Sequence, residues 1–403
     1  MTENATDGEQ AVLSLRNPGD LLAAIPYLVG FHPDDSIVVV GLAGPRMRVV
    51  FTMRSDLPAS TDPDEAAERA QYLTRVLALQ HPASAMVAGF GAGARVTPVI
   101  DAVRAELDRH HIPLQEALRA HEGRYWSYLC PEGPCCPADG TAYDPRASEI
   151  AARATLAGCV VLPNRAALVA EAAPVEGAAR TAMRRATARA EERFGALVTG
   201  ELTAAASGAR DRPLVRAGVT AVTAAIDRHA AGGRLGDDEI AWLAALLTHL
   251  RVRDEAWVRV DARDDPAYRR VLRGLWAHML RRVERDYVPA PACLLAYTAW
   301  RDGDGGLANV ALDRARLADP SYTMTGLLEK LLGTGTPPSD WRPLTPGDLR
   351  HDDARDARAR SRRHRLGRAS SAHPRGPYAG GYAGAHLFDA WRARGARRQG
   401  DPR

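Results

Sequence analysis

The stretch SIVVVGL, residues 36–42, constrains the fold more than any other part of the chain. It is short, β-branched and bounded by turn residues, FHPDD before it and AGPR after it, which specifies a buried strand. Its surroundings supply the rest of a layer. MRVVFTMRSDLP reads as a second strand, and the four-residue loop with Gly and Pro between the two predicts a hairpin. Upstream, Asn17-Pro18-Gly19-Asp20 starts a helix through LLAAIPYLVGF, which Pro26 should end or kink after about two turns because it has no amide donor. Downstream, Asp62-Pro63-Asp64-Glu65 places acids at the positive end of a helix running to about Leu79. ASAMVAGFG is a third strand and TPVIDAVRAELDRH a third helix. The order of these elements predicts an α/β layer with at least one crossover. The aromatic end of IPLQEALRAHEGRYWSYL, Tyr125 to Tyr128, suits an edge strand.

Beyond Asp144 the pattern changes to alanine, arginine and leucine at helical spacing. Ile240, Leu243, Leu246, Leu247 and Leu250 follow one apolar stripe behind an acidic start at Asp237-Asp238-Glu239. Residues 268–282 form another helix, and Pro291 stands near the start of ACLLAYTAW. Asp319-Pro320 breaks LANVALDRARL before TMTGLLEKLL. After Trp341 the apolar pattern fades into arginine-rich and then Gly/Ala/Tyr-rich text, which cannot build a core. The expected organisation is therefore a disordered start (1–12), an α/β domain (13–146), an all-helical domain (147–344) and a disordered basic tail (345–403).

Charge follows the same division. Residues 342–403 carry 15 arginines against 6 acids, a net +9, which leaves residues 1–341 at −5 within the overall +4. Lys330 is the only lysine, so arginine abundance alone carries little meaning. The start MTENATDGEQ is acidic where a signal peptide would be basic, and no apolar run approaches the roughly 20 residues of a membrane span. A soluble cytoplasmic protein with reduced thiols is expected.

Three of the five cysteines, Cys130, Cys135 and Cys136, crowd into SYLCPEGPCCP. Zinc needs four ligands, usually as paired knuckles. Here Cys130-x4-Cys135 offers two, Cys136 a third in awkward adjacency, and His110, His111 and His121 lie upstream, but no second knuckle follows. The spacing is not that of a redox pair. A proline-pinned turn under an aromatic strand is the competing reading. Cys159 and Cys293 sit in apolar runs and read as buried packing residues.

Other candidates fail on spacing. Gly89-Phe90-Gly91-Ala92-Gly93 lies between strand and helix, where a phosphate cradle would sit, but as G-x-G-x-G without a P-loop lysine. It reads as a flexible connection. His32-Pro33-Asp34-Asp35-Ser36 is too local for a triad, and its aspartates should cap the turn. Asp302-Gly303-Asp304-Gly305-Gly306 lacks the glycine and glutamate of a calcium loop and is a turn between helices. Residues 350–368 hold 8 arginines and 3 aspartates, and with Tyr378 and Tyr382 could bind nucleic acid weakly.

LLAAIPYLVGFHPDDSIVVVGL, SYLCPEGPCCP, and LLAYTAWRDGDGGLANVALDRARLADPSYTM followed by PPSDW together resemble the actinobacterial domain-of-unknown-function family 4192 over roughly residues 13–341. That resemblance implies no activity. It does imply that the Cys-Cys-Pro element belongs to the family pattern. Gly306, Ala308, Ala311, Ala315 and Asp319-Pro320 are also similar to one tetratricopeptide-type hairpin, though no second copy follows.

The leading functional expectation is a non-catalytic binding or scaffold protein, with a protein partner on the helical domain and no cofactor. One alternative is an enzyme or small-ligand-binding protein using His32, Asp34 and Asp56 at the strand ends, near Cys130. Another is a zinc protein using Cys130, Cys135 and Cys136.

Overall fold

A computed structural model describes residues 17–130, 136–157, 160–206 and 213–350, with side chains of 202–206 excepted. The first helix, α1 (Pro18–Val29), starts where expected, with Asn17 Oδ1 accepting from the Asp20 amide at 2.9 Å. Pro26 does not end it. The helix continues to Val29, and Gly30, at φ 85°, closes it by donating to the Pro26 carbonyl at 2.8 Å. Burial of Leu21, Leu22 and Ile25 on the sheet outweighs the one hydrogen bond that proline forfeits.

Strands β1 (Ser36–Ala43) and β2 (Arg48–Asp56) form the expected antiparallel hairpin, paired from Ser36–Asp56 to Ala43–Arg48 with a one-residue register shift between Gly41 and Leu42. Helix α2 (Pro63–Ala78) follows, capped by Asp62. Next come β3 (Ser84–Phe90), α3 (Gly93–Arg109) and β4 (Leu114–His121), with β3 and β4 parallel, so α3 is the crossover. Strands β5 (Arg124–Ser127) and β6 (Thr141–Ala142) complete a six-stranded mixed sheet in the order β2-β1-β3-β4-β5-β6. β5 is not the edge, since Tyr125 pairs with Thr141 in β6.

The continuous apolar run of β1 now has its cause. Ile37 and Val39 face a core shared with Leu73 and Leu77 of α2 and Val96, Ile100 and Val103 of α3. Val38, Val40 and Leu42 face the opposite core, shared with Leu21, Leu22 and Ile25 of α1. A strand covered on both faces must be apolar at every position. Helices α4 (Glu149–Leu156) and α5 (Arg165–Glu171) follow, and Ile150 of α4 packs against Ala23 and Ala24.

The chain gathers into two compact units. Among the described residues, one comprises those from 17 to 172, with Gly303–Val310 and Glu329–Asp340; the other comprises those from 173 to 302, Ala311–Leu328 and 341–350. The remaining elements are helices: α6 (Gly177–Ala206), α7 (Pro213–Ala230), α8 (Asp237–Leu247), α9 (Leu250–Val260), α10 (Pro266–Arg282), α11 (Pro289–Arg301), α12 (Gly305–Ala318) and α13 (Thr323–Gly333). The single stripe expected through Leu250 is two helices, because the chain turns at Thr248 and His249. Every residue from Pro289 to Trp300 in α11 is buried, as befits the central helix of its unit.

At the end of α11 the aromatics of two distant sequence phrases meet. Tyr297 stacks on Trp257 at 4.0 Å, and Trp341 lies edge-on to Trp300 at 5.8 Å. The Tyr297 hydroxyl donates to Asp261 Oδ2, while Arg301 Nε lies 2.8 Å from Asp261 Oδ1, an ion-pair distance off the hydrogen-bond line. Burial raises the Asp261 carboxyl above its ordinary range, against the pull of Tyr297 and Arg301. Residues 346–350, assigned to the tail by sequence, are helical, and Leu349 is buried. Residues 351–403 lie outside the described part.

Candidate functional site

The three strand-end candidates fall at one end of the sheet but into different roles. Asp34 accepts from the Asp35 amide at 2.9 Å, the turn cap expected of it, and its carbonyl accepts from the Ser36 hydroxyl. Asp56 pairs with Arg54 at 2.6 Å. Arg54 also donates to Ser36 Oγ, at 2.9 Å through Nε and 2.6 Å through its terminal nitrogen, and lies over the Phe31 ring. Asp35 pairs with Arg95 at 2.6 Å. His32 is tied through its backbone, its amide donating to the Leu162 carbonyl at 3.0 Å. Burial first, and Arg146 second, lower its affinity for a proton. These side chains are spent on one another, which suits fixing the sheet end.

The glycine stretch is a packing device. Gly89 is the sixth residue of β3, and a Cβ there would lie 2.2 Å from Val96 Cγ1. Gly93 opens α3, and a Cβ there would lie 2.6 Å from the Arg119 guanidinium, which itself stacks on Trp126 at 3.7 Å. The helix thus starts several residues earlier than the sequence spacing indicated, because the glycines admit it close to β3 and β4.

Cys130 and Cys136 are half-buried; Cys135 lies outside the described residues. The chain just after them is clamped onto β5: Trp126 Nε1 donates to the Ala138 carbonyl at 3.1 Å and Arg124 to the Gly140 carbonyl at 2.7 Å. A Cβ at Gly140 would lie 2.6 Å from the Trp126 ring. Among the described residues no three His, Cys, Asp or Glu side chains are grouped to hold a metal. Cys293 is buried, as expected, 3.5 Å from Thr325 Oγ1. Cys159 lies outside the described residues.

A site that the sequence reading did not single out lies in the second unit. A trough of about 600 Å³ runs along α7, walled by α6 and floored by α8. Leu214, Gly218, Val222, Ala225 and Ile226 bury the inner face of α7. Gly218 permits this, since a Cβ there would lie 2.3 Å from Val252 of α9. The outer face then presents Ala217, Thr220, Ala221 and Ala224 to the trough, opposite Leu197, Trp242 and Leu243. Arg193, Arg216 and Arg228 stand at its rim with one acid, Glu239. Glu239 is committed twice, accepting from Arg228 at 2.9 Å and from the Gly236 amide at 2.9 Å. Arg193 Cζ lies over the Trp242 ring, 3.8 Å from its centroid, and among the described residues no acid stands within ion-pair distance of it. The small residues of α7 at helical spacing were the one sequence signal for this trough, and alanine is too common in this chain for that signal to stand out.

The phrases that carried the resemblance occupy α1 and β1, the cysteine turn, and α11 to Trp341. The chain matches the family described as Domain of unknown function (DUF4192) over residues 18–339. It belongs to that family. The match takes in every element from α1 to α13, including those that form the trough. Neither a curated protein nor a solved structure matches the chain significantly. Among the described residues no helix is long and apolar enough to cross a membrane.

Proposed function

We propose that this DUF4192 member is a non-catalytic binding protein and that its binding surface is the trough along α7. The observation that carries this reading is the company Arg193 keeps: a guanidinium over Trp242, 3.8 Å from the ring centroid, beside a mostly apolar lining. Small-ligand sites have this character, mostly apolar walls with a few convergent polar groups, and volumes of about 300–1,000 Å³. The strand-end candidates support the same reading from the other side. Arg95 holds Asp35, and Arg54 holds both Asp56 and Ser36, so these groups have partners within the sheet end itself.

Native mass spectrometry of protein purified from its own cells tests the proposal, wild type beside Ala221→Trp, which fills the trough. The expected result is a bound mass on the wild type that the variant has lost. Bound mass equal on both, or catalytic turnover that needs Asp34 or Asp56, would contradict it.

A further inference from the structure

We infer that the trough takes a small anionic amphiphile: an acyl or aryl body lying along the outer face of α7, with its carboxylate or phosphate head on Arg193. This deepens the preceding proposal and rests on it. The outer face of α7 decides the body of the ligand. Ala217, Ala221 and Ala224 leave a shallow, mostly apolar channel interrupted by Thr220, and Leu197 and Leu243 line it beside them. Such a surface offers an apolar chain dispersion and burial.

The rim decides the head. Arg228 already faces Glu239, whereas among the described residues Arg193 has only the Trp242 ring, its Cζ 3.8 Å from the ring centroid, so no carboxylate there occupies its N–H groups. A planar fork held by stacking is preorganised for two-point binding of a carboxylate or phosphate. Arg228 is neutralised by Glu239, so Arg193 is the lining cation that selects a negative head. The chain's own end does not fit, since residues 351–403 hold 13 arginines and 5 acids. The rim would repel it.

The test is isothermal titration of the full chain with decanoate, decyl phosphate and decyltrimethylammonium, and with a glutamate-rich amphipathic peptide of about four helical turns. Wild type, Arg193→Gln and Ala221→Trp are compared, and circular dichroism checks that each variant is folded. Both anions should bind once per chain, at least tenfold tighter than the cation. Arg193→Gln should weaken both anions at least tenfold and leave the cation unchanged, and Ala221→Trp should abolish binding. Equal affinity for the cation, or indifference to Arg193→Gln, would overturn the inference while leaving the trough as the site. Binding of the peptide alone, lost in Ala221→Trp, would replace the amphiphile by a protein partner. Anion binding that survives Ala221→Trp would overturn both the ligand class and the trough, and failure of all four probes would overturn the ligand class.

Discussion

Replacing Gly89 by alanine should destabilise the sheet unit through one contact. The added Cβ would lie 2.2 Å from Val96 Cγ1, 3.3 Å from Val96 Cβ and 3.4 Å from Ile100 Cδ1. Carbon atoms pack at about 3.5–4.0 Å, so the first contact is short by about 1.3–1.8 Å. Val96 cannot swing away cheaply. It is fully buried, and a valine within a helix has essentially one rotamer. The helix must therefore move off the strand or Val96 must leave its well, at an overpacking cost of about 1–3 kcal/mol. The lower entropy of an unfolded chain with alanine returns about 0.4–1 kcal/mol. A net loss of up to about 2.6 kcal/mol remains, which lowers Tm by up to about 10 °C at the roughly 2–4 °C per kcal/mol of domains this large. Urea unfolding of wild type, Gly89→Ala, Val96→Ala and the double variant measures it. The cost of Gly89→Ala should shrink by at least about 1 kcal/mol when Val96 is already alanine. Strict additivity in the double variant would refute the close-approach reasoning and reopen a ligand-binding role for the glycines.

Three further outcomes are expected. Asp261→Ala removes the carboxylate shared by Tyr297 and Arg301 in a site where Asp261 is 1% exposed, and should cost about 3–5 kcal/mol in chemical denaturation, with Asp261→Asn costing less. Burial lowers the proton affinity of His32, His229 and His278 below the ordinary histidine value of 6.5, with neighbouring arginines adding to it. Below about pH 6.5 the unfolded chain therefore binds protons that the folded chain refuses, so stability should fall with acid there and hold steady just above; His278→Gln should flatten that slope in thermal scans. Cys135→Ser with Cys136→Ser should lower Tm while leaving metal content by elemental analysis unchanged, and a zinc lost with the thiols would show the turn to be a metal site.

What the sequence made legible depended on whether the controlling forces were local. The β1 run, the hairpin after it and the acid-capped start of α2 are set by β-branched side chains, turn residues and a helix dipole within a few positions, and each falls where those cues place it. β4 was not assigned, because LQEALRAH is made of good helix formers and becomes a strand only by pairing with Ala85–Phe90 across the α3 crossover. Pro26 does not end α1 for the same reason: tertiary burial carries the helix three residues past it. The strand-end residues were visible as a group, but their pairing was not, since Arg54 and Arg95 come from elements that only the fold brings to Ser36 and Asp35. The trough was less legible still. Arg193, Thr220 and Trp242 lie on three helices, and nothing in their spacing announces that they meet.

Hydrogen–deuterium exchange of the full chain, with and without decanoate, tests the central claim most directly. Amides in 193–197, 213–228 and 239–243 should gain protection together, while those of β1 and β2 stay unchanged. Protection confined to the 34–56 end of the sheet, with α6, α7 and α8 unaffected, would contradict the account.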